Sequence, residues 1–242
     1  MKELKKQFEG LEKEAGVTLI LAAVLMTLFA YQGHPDFFLE KFGHLSWVKE
    51  KPGFYSEAFR FLFTFVIFFV IHALTVLIVY KKPLTSYGLA LGDKKFGLRF
   101  VAISFVVAPL PLYLNAGSAD FLKGYPLWPE VGASAGNYFL WIFLYLVFYI
   151  GWEFFFRGFM QFSLVGRMAP FFIIMIQTLA STIIHIGKPE GETLAAIAGG
   201  IIFGAVALRT RSILYPLLVH WYLGALTELF AYLHMTGGGG RP

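Results

Sequence analysis

The residues able to do chemistry lie in the second half of this 242-residue chain, set into its most apolar stretches. Glu153 and Arg157 sit inside the run Gly151-Trp152-Glu153-Phe154-Phe155-Phe156-Arg157-Gly158; His185 closes a later apolar stretch and is followed by Glu190 and Glu192; His220 and Glu228 lie in the last one. A charge near the centre of a bilayer costs roughly 2.5–3.5 kcal/mol on insertion scales, so each such group needs a partner or a task. Four residues apart on a helix, Glu153 and Arg157 share a face in the orientation that favours pairing. An ion pair serving packing alone accounts for those two as well as a functional site does. The whole set suits water activation by Glu with His, a second His donating to a developing oxyanion. It equally suits a divalent ion held by two His and one Glu, which would lower the pKa of bound water toward about 7. The local metal motif of two His one turn apart is absent. A proton or ion pathway is a third use of intramembrane carboxylates. The first half of the chain, apart from His72, offers no matching polar groups within its apolar stretches, which counts against transport.

The elements that must position these groups are membrane helices. The chain is 57% hydrophobic and 14% charged, with 28 Phe, whereas a soluble domain is about 45–50% apolar and about 25% charged. Its apolar residues fall in blocks of bilayer-spanning length. The fold expected is therefore all-α, a polytopic transmembrane helical bundle of seven spans, or eight if a loop conceals an interfacial helix. Spans are expected at about 17–31, 59–80, 100–114, 138–165, 171–186, 193–208 and 213–233. Pro109 and Pro111 predict a kink in the third, and the fourth is too long for one perpendicular crossing. Gly199, Gly200 and Gly204 are small enough to let helices approach closely. His72, in the second span, is expected to bond a neighbouring helix, and Glu228 to pair helices.

One domain is expected over 17–236, with its site in 138–228, after a polar surface segment at 1–16 and before a disordered tail at 237–242. Residues 1–16 do not read as a cleaved signal peptide, since no small-residue cleavage site follows the apolar run. Lys81, Lys82, Lys94, Lys95 and Arg99 cluster around one loop, which the positive-inside rule assigns to the cytoplasm together with the Lys-rich N-terminus. The absence of cysteine excludes disulfides, thiolate metal sites and a Cys nucleophile. The net charge of +5 is spread over loops as in ordinary membrane proteins, so nucleic acid is discarded as a partner.

The order Glu153-Phe154-Phe155-Phe156-Arg157-Gly158, then His185, then His220 resembles the CPBP family of CAAX-processing and bacteriocin-processing intramembrane proteases, also called the Abi family. The family pattern is E-E-x-x-x-R, F-x-x-x-H and H-x-x-x-N or D, and the likeness covers about 138–228. Trp152 stands where the pattern has its first Glu, Ser181 where it has Phe, and Gly224 where it has Asn or Asp. The run Trp152-Glu153-Phe154-Phe155-Phe156-Arg157-Gly158 with His185-Ile186-Gly187-Lys188-Pro189-Glu190-Gly191-Glu192 is similar to a bacterial branch of the family.

The resemblance implies a glutamic-type endopeptidase acting on a membrane-associated peptide or protein in the lipid bilayer, without a cofactor, with a divalent metal left open. It implies that Glu153 or Glu192 works with His185 on water, that Arg157 holds Glu153 ionised and that His220 donates to the oxyanion. Trp152 reads as a packing residue beside the site. A bacterial inner membrane with a cytoplasmic N-terminus is the expected location. The alternative is a non-catalytic scaffold or bacteriocin-immunity protein on the same fold, and a proton-coupled transporter is third. Full crossings by the fourth to seventh segments would separate Glu153 from His185 by on the order of 15 Å in depth, at ~1.5 Å per residue. A fourth helix that extends into the cytoplasm as far as Arg167, or a fifth that starts well below the surface, would bring them level, with His185 and Glu192 at the floor of a cavity.

Overall fold

The computed structural model describes residues 12–237, which are all-helical with no strand among them. In order they form α1 (Lys13–Tyr31), α2 (Pro35–Phe42), α3 (Ser46–Glu50), α4 (Pro52–Val79), α5 (Lys94–Ala116), α6 (Ala119–Gly124), α7 (Ala135–Ser163), α8 (Pro170–Ile183), α9 (Glu190–Thr210) and α10 (Leu214–Gly237). Of these α1, α4, α5, α7 and α9 are long and apolar enough to cross a membrane. The chain is a helical membrane protein.

Several boundaries differ from those expected. The first helix takes in Lys13 and Glu14, because the Glu14 carboxylate is tied to Lys82 Nζ at 2.6 Å and to Arg167 Nη2 at 3.0 Å and also accepts from the Tyr87 hydroxyl. These bonds gather the start of α1, the end of α4 and the turn after α7 at one end of the bundle. The surface segment expected at 1–16 therefore ends earlier, and its residues 1–11 lie outside the described residues. Residues 32–57, expected as a loop, hold α2, α3 and the first turns of α4, which starts at Pro52 because proline needs no hydrogen-bond acceptor there. Gly237 belongs to α10, and the rest of the tail lies outside the described residues.

Within α5 the helix breaks at Ala108, before Pro109, as the missing proline N–H dictates. Ser134 caps α7, accepting from the Asn137 N–H at 3.1 Å. This helix occupies the centre of the bundle: Phe154, Phe155, Phe156 and Phe159 are all fully buried. Phe155 stacks on Phe68 of α4 at 4.2 Å, and the Trp221 indole of α10 donates to the Ile142 carbonyl at 2.8 Å. The α-ladder opens into a π-helical stretch over Phe154–Met160, a distortion often found at functional sites.

The helix pair α8 and α9 closes through glycine as the sequence implied, though through two of the three. A Cβ on Gly200 would lie 2.7 Å from Thr178, and one on Gly204 2.6 Å from Gln177, whereas nothing lies within 4 Å of a Cβ on Gly199. Gly199 faces a cavity. The fifth segment ends at Ile183, three residues before its expected end, because His185 N–H turns back onto the Thr182 carbonyl at 3.0 Å and Gly187 takes φ +100°. Glu190 and Glu192 then belong to the first turn of α9, where carboxylates face the positive end of the helix dipole. With 14 residues, α8 is about 21 Å long at ~1.5 Å per residue, well short of a hydrocarbon core of ~30 Å.

Candidate active site

A short α8 beside the 29-residue α7 removes the depth mismatch, and His185 lands edge-on against the Trp152 ring, with centroids 5.3 Å apart. Around them a cavity of about 380 Å³ opens between the kink of α5, α7, α9, α10 and the turn after α8. His185, His220, Glu192 and Arg157 all line it, together with Tyr125, Tyr149 and Trp152. Glu153 does not.

Glu153 is sealed behind the wall. Its side chain is 0% exposed, and its Oε1 accepts from Arg157 Nη1 at 3.2 Å and from His220 Nδ1 at 2.6 Å. Oε2 has no partner. A buried ion pair needs further hydrogen bonds to offset the loss of hydration, and here the His220 ring supplies one. The Arg157 guanidinium also lies 5.6 Å from the centroid of Phe203 and 5.8 Å from that of Phe156, where ring faces favour a cation. The His220 ring sits between Tyr149 and Phe203, at 4.3 and 5.4 Å. The carboxylate nearest His220 is thus Glu153, held across helices.

Glu192 is arranged differently. Its Oε1 accepts from Lys188 Nζ at 2.8 Å and from the Tyr125 hydroxyl at 2.9 Å, and Lys188 Nζ also donates to the Tyr125 oxygen at 2.8 Å. Burial and the Glu192 carboxylate raise the Tyr125 phenol well above its usual pKa, so it stays a donor at neutral pH. The second oxygen, Oε2, is free. Glu190 is exposed and does not line the cavity; its backbone N–H is capped by Asp120 at 3.0 Å.

His185 is fixed by the main chain. Its Nδ1 lies 2.6 Å from the Ser181 carbonyl, which can only accept, so the ring proton is on Nδ1 and the Nε2 lone pair is open. Burial, then the nearby Lys188 cation, depress its pKa to about 4, so the ring is neutral at pH 7. The first turn of α9 is pinned to the same residue, since Thr193 Oγ1 donates to the His185 carbonyl at 3.0 Å. His72 lies on the other side of α7, bonded through Nδ1 to the Phe68 carbonyl of its own helix at 3.0 Å and not to a neighbour as expected. Glu228 is buried and accepts from the Leu127 N–H at 3.1 Å, tying the loop before α7 to α10.

Residues 134–226 match the family model described as type II CAAX prenyl endopeptidase Rce1-like. This part of the chain is Rce1-like. The CPBP resemblance read from the motifs is borne out over these residues, which run from the cap of α7 into α10 and include Glu153, Arg157, His185, Glu192 and His220. The family so described is one of prenyl endopeptidases, hydrolases of the CAAX-protease kind. No curated protein and no solved structure matches the chain.

Among the described residues no group of three or more His, Cys, Asp or Glu side chains is placed to hold one metal ion. Sequence reasoning missed Tyr125, Lys188 and Tyr149 as cavity or cavity-wall residues. Lys188 carried a signal, standing four residues before Glu192. Tyr125 carried none, since it enters from a loop outside the Rce1-like stretch.

Proposed function

We propose that the chain is an intramembrane endopeptidase that hydrolyses a peptide bond of a membrane-anchored substrate inside this cavity. The observation that carries the reading is the meeting of His185, His220 and Glu192 on one cavity within the Rce1-like stretch, with the Glu192 Oε2 left unpartnered. Trp152 holds the place of the first motif carboxylate, and Glu192 supplies the base in its stead. A water between His185 and Glu192 donates one hydrogen bond to His185 Nε2 and loses its other proton to Glu192 Oε2 as its oxygen attacks the scissile carbonyl carbon. Lys188 and Tyr125 hold Glu192 in place through Oε1. The oxyanion that forms accepts from Nε2–H of a doubly protonated His220, whose Nδ1–H is bonded to Glu153 beside Arg157. Glu192 then returns its proton to the leaving nitrogen as the C–N bond breaks and the C=O bond reforms, giving an amine and a carboxylic acid, which loses its remaining proton to water. Acid–base work of this kind contributes about 10²- to 10⁴-fold, and a donor aimed at the oxyanion about 10²- to 10³-fold.

On this reading the bundle has seven membrane segments, α1, α4, α5, α7, α9 and α10 crossing and α8 entering part-way. The lysines at the end of α4 and the start of α5 support a cytoplasmic N-terminus, and the reading takes the membrane to be a bacterial inner one. The test uses purified protein in proteoliposomes with a quenched fluorogenic peptide carrying a prenyl anchor. Wild type is expected to cleave it, and Glu192→Gln to lose about 10²- to 10⁴-fold in kcat while keeping its melting temperature. No cleavage by the wild type, or full activity in Glu192→Gln, would sink the reading and favour the scaffold.

A further inference from the structure

Resting on that reading, we infer that Tyr149 is a second oxyanion donor, and so a catalytic residue. Its ring packs against the His220 imidazole with centroids 4.3 Å apart, and both residues line the cavity. Tyr149 is only 6% exposed, and what remains open faces the cavity. Tyr138, on the same helix, commits its hydroxyl to the Ala225 carbonyl at 3.1 Å. The Tyr149 hydroxyl makes no main-chain bond; its oxygen lies within hydrogen-bonding reach of the hydroxyl of its helix neighbour Tyr145 as an acceptor, which leaves its own proton to place. A phenol needs a partner when buried, and one left facing the site is available to a substrate.

The space around Gly224 fixes where this hydroxyl points. Gly224 follows His220 by four residues on α10, so the two share a face, and both line the cavity. A Cβ built on Gly224 would lie 2.5 Å from the Tyr149 oxygen and 2.6 Å from its Cε2. The tyrosine therefore occupies the room that any side chain at 224 would need, and its hydroxyl stands next to His220 where that side chain would have stood. The phenol stands beside His220 on the cavity wall, where an oxyanion bonded to His220 Nε2 would meet it as a neutral donor. Two donors, one cationic and one neutral, make a preorganised hole whose bonds strengthen as the carbonyl oxygen gains charge.

The test compares wild type and Tyr149→Phe, which keeps the ring, its stacking on His220 and its packing against Gly224. On the prenyl-anchored peptide in proteoliposomes, kcat is expected to fall about 10²- to 10³-fold with KM nearly unchanged. A phosphinate peptide, which carries tetrahedral oxygens in place of the scissile amide, should lose affinity by a similar factor. A merely structural tyrosine would leave the phosphinate affinity level with that of substrate. If wild type cleaves and Tyr149→Phe keeps its kcat, or loses only KM, this assignment fails and the protease reading stands. If wild type cleaves nothing, both fall.

Discussion

Glu153 and Glu192 each pair with a cation four residues away along the chain, yet the two pairs do opposite work. Glu153 and Arg157 are 0% and 3% exposed, and the carboxylate is sealed off by its own helix and by His220. Glu192 and Lys188 are 22% and 32% exposed, and Glu192 lines the cavity with one carboxylate oxygen unpartnered. The difference lies in the helix that carries each pair. The Phe-rich stretch of α7 over 151–163 is buried on every side, so a charge on it must be neutralised by a planar, always-charged guanidinium that can bond while desolvated. The first turn of α9 sits at a cavity mouth, where a lysine can hold a carboxylate and remain partly hydrated. Spacing is the same in the two pairs; the surroundings make one structural and the other open to substrate.

Breaking the sealed pair has the larger expected effect on stability. Glu153→Gln leaves the Arg157 cation buried without a counter-ion and His220 with a neutral acceptor in place of a charged one, and loss of one partner of a buried pair costs about 3–5 kcal/mol. Thermal unfolding in detergent should show a clear drop for Glu153→Gln and almost none for Glu192→Gln. Equal drops would mean that the two pairs are not different in kind.

A smaller effect sharpens the open side. Burial and Lys188 hold His185 at a pKa of about 4, so its Nε2 lone pair survives until the pH falls to that range. The acid limb of kcat should then lie near 4 and not near the ordinary histidine value of about 6.5. Lys188→Met removes a cation that disfavours protonation, so the limb should move toward higher pH. The linkage to stability has a fixed sign. The unfolded chain takes up this proton near pH 6.5 and the folded one only near 4, so the contribution of the neutral ring is full above about 6.5 and is lost as pH falls toward 4. An acid limb that stays put in Lys188→Met would remove Lys188 from the set acting on His185.

How much of this was legible in the sequence follows from which interactions are local. The ion pair, the α5 kink, the glycine contacts of α9 and the motif order Glu153, His185, His220 all rest on spacing along one helix or one turn, and each could be read. The pairing of Glu153 with His220 could not, because it depends on how α10 lies against α7. The start of α1 was misplaced for the same reason: Lys13 and Glu14 look like a polar tail until Lys82, Tyr87 and Arg167 arrive from distant parts of the chain to hold Glu14. Tyr149 shows the limit most clearly. Among the three aromatic residues of the run 145–149 nothing local marks Tyr149 as the one whose hydroxyl lies beside His220, and only the absence of a side chain at Gly224 reveals where that hydroxyl goes.

His72 provides the finest test, because it is as buried as Glu153 and carries the same ring as His220. It is 0% exposed, packs its ring at 4.8 and 4.3 Å from those of Phe155 and Phe159, and leaves Nε2 without a partner. His72→Phe removes the bond from Nδ1 to the Phe68 carbonyl, worth about 0.5–1.5 kcal/mol net, and also removes an unsatisfied buried nitrogen that costs about 1–3 kcal/mol. The two terms nearly cancel, so the melting temperature should hold or rise slightly, and cleavage of the prenyl-anchored peptide should be unchanged. A large loss of cleavage with the fold intact would mean that the chemistry reaches through α7 to its far side. The contrast between a sealed wall and an open site would then have to be abandoned.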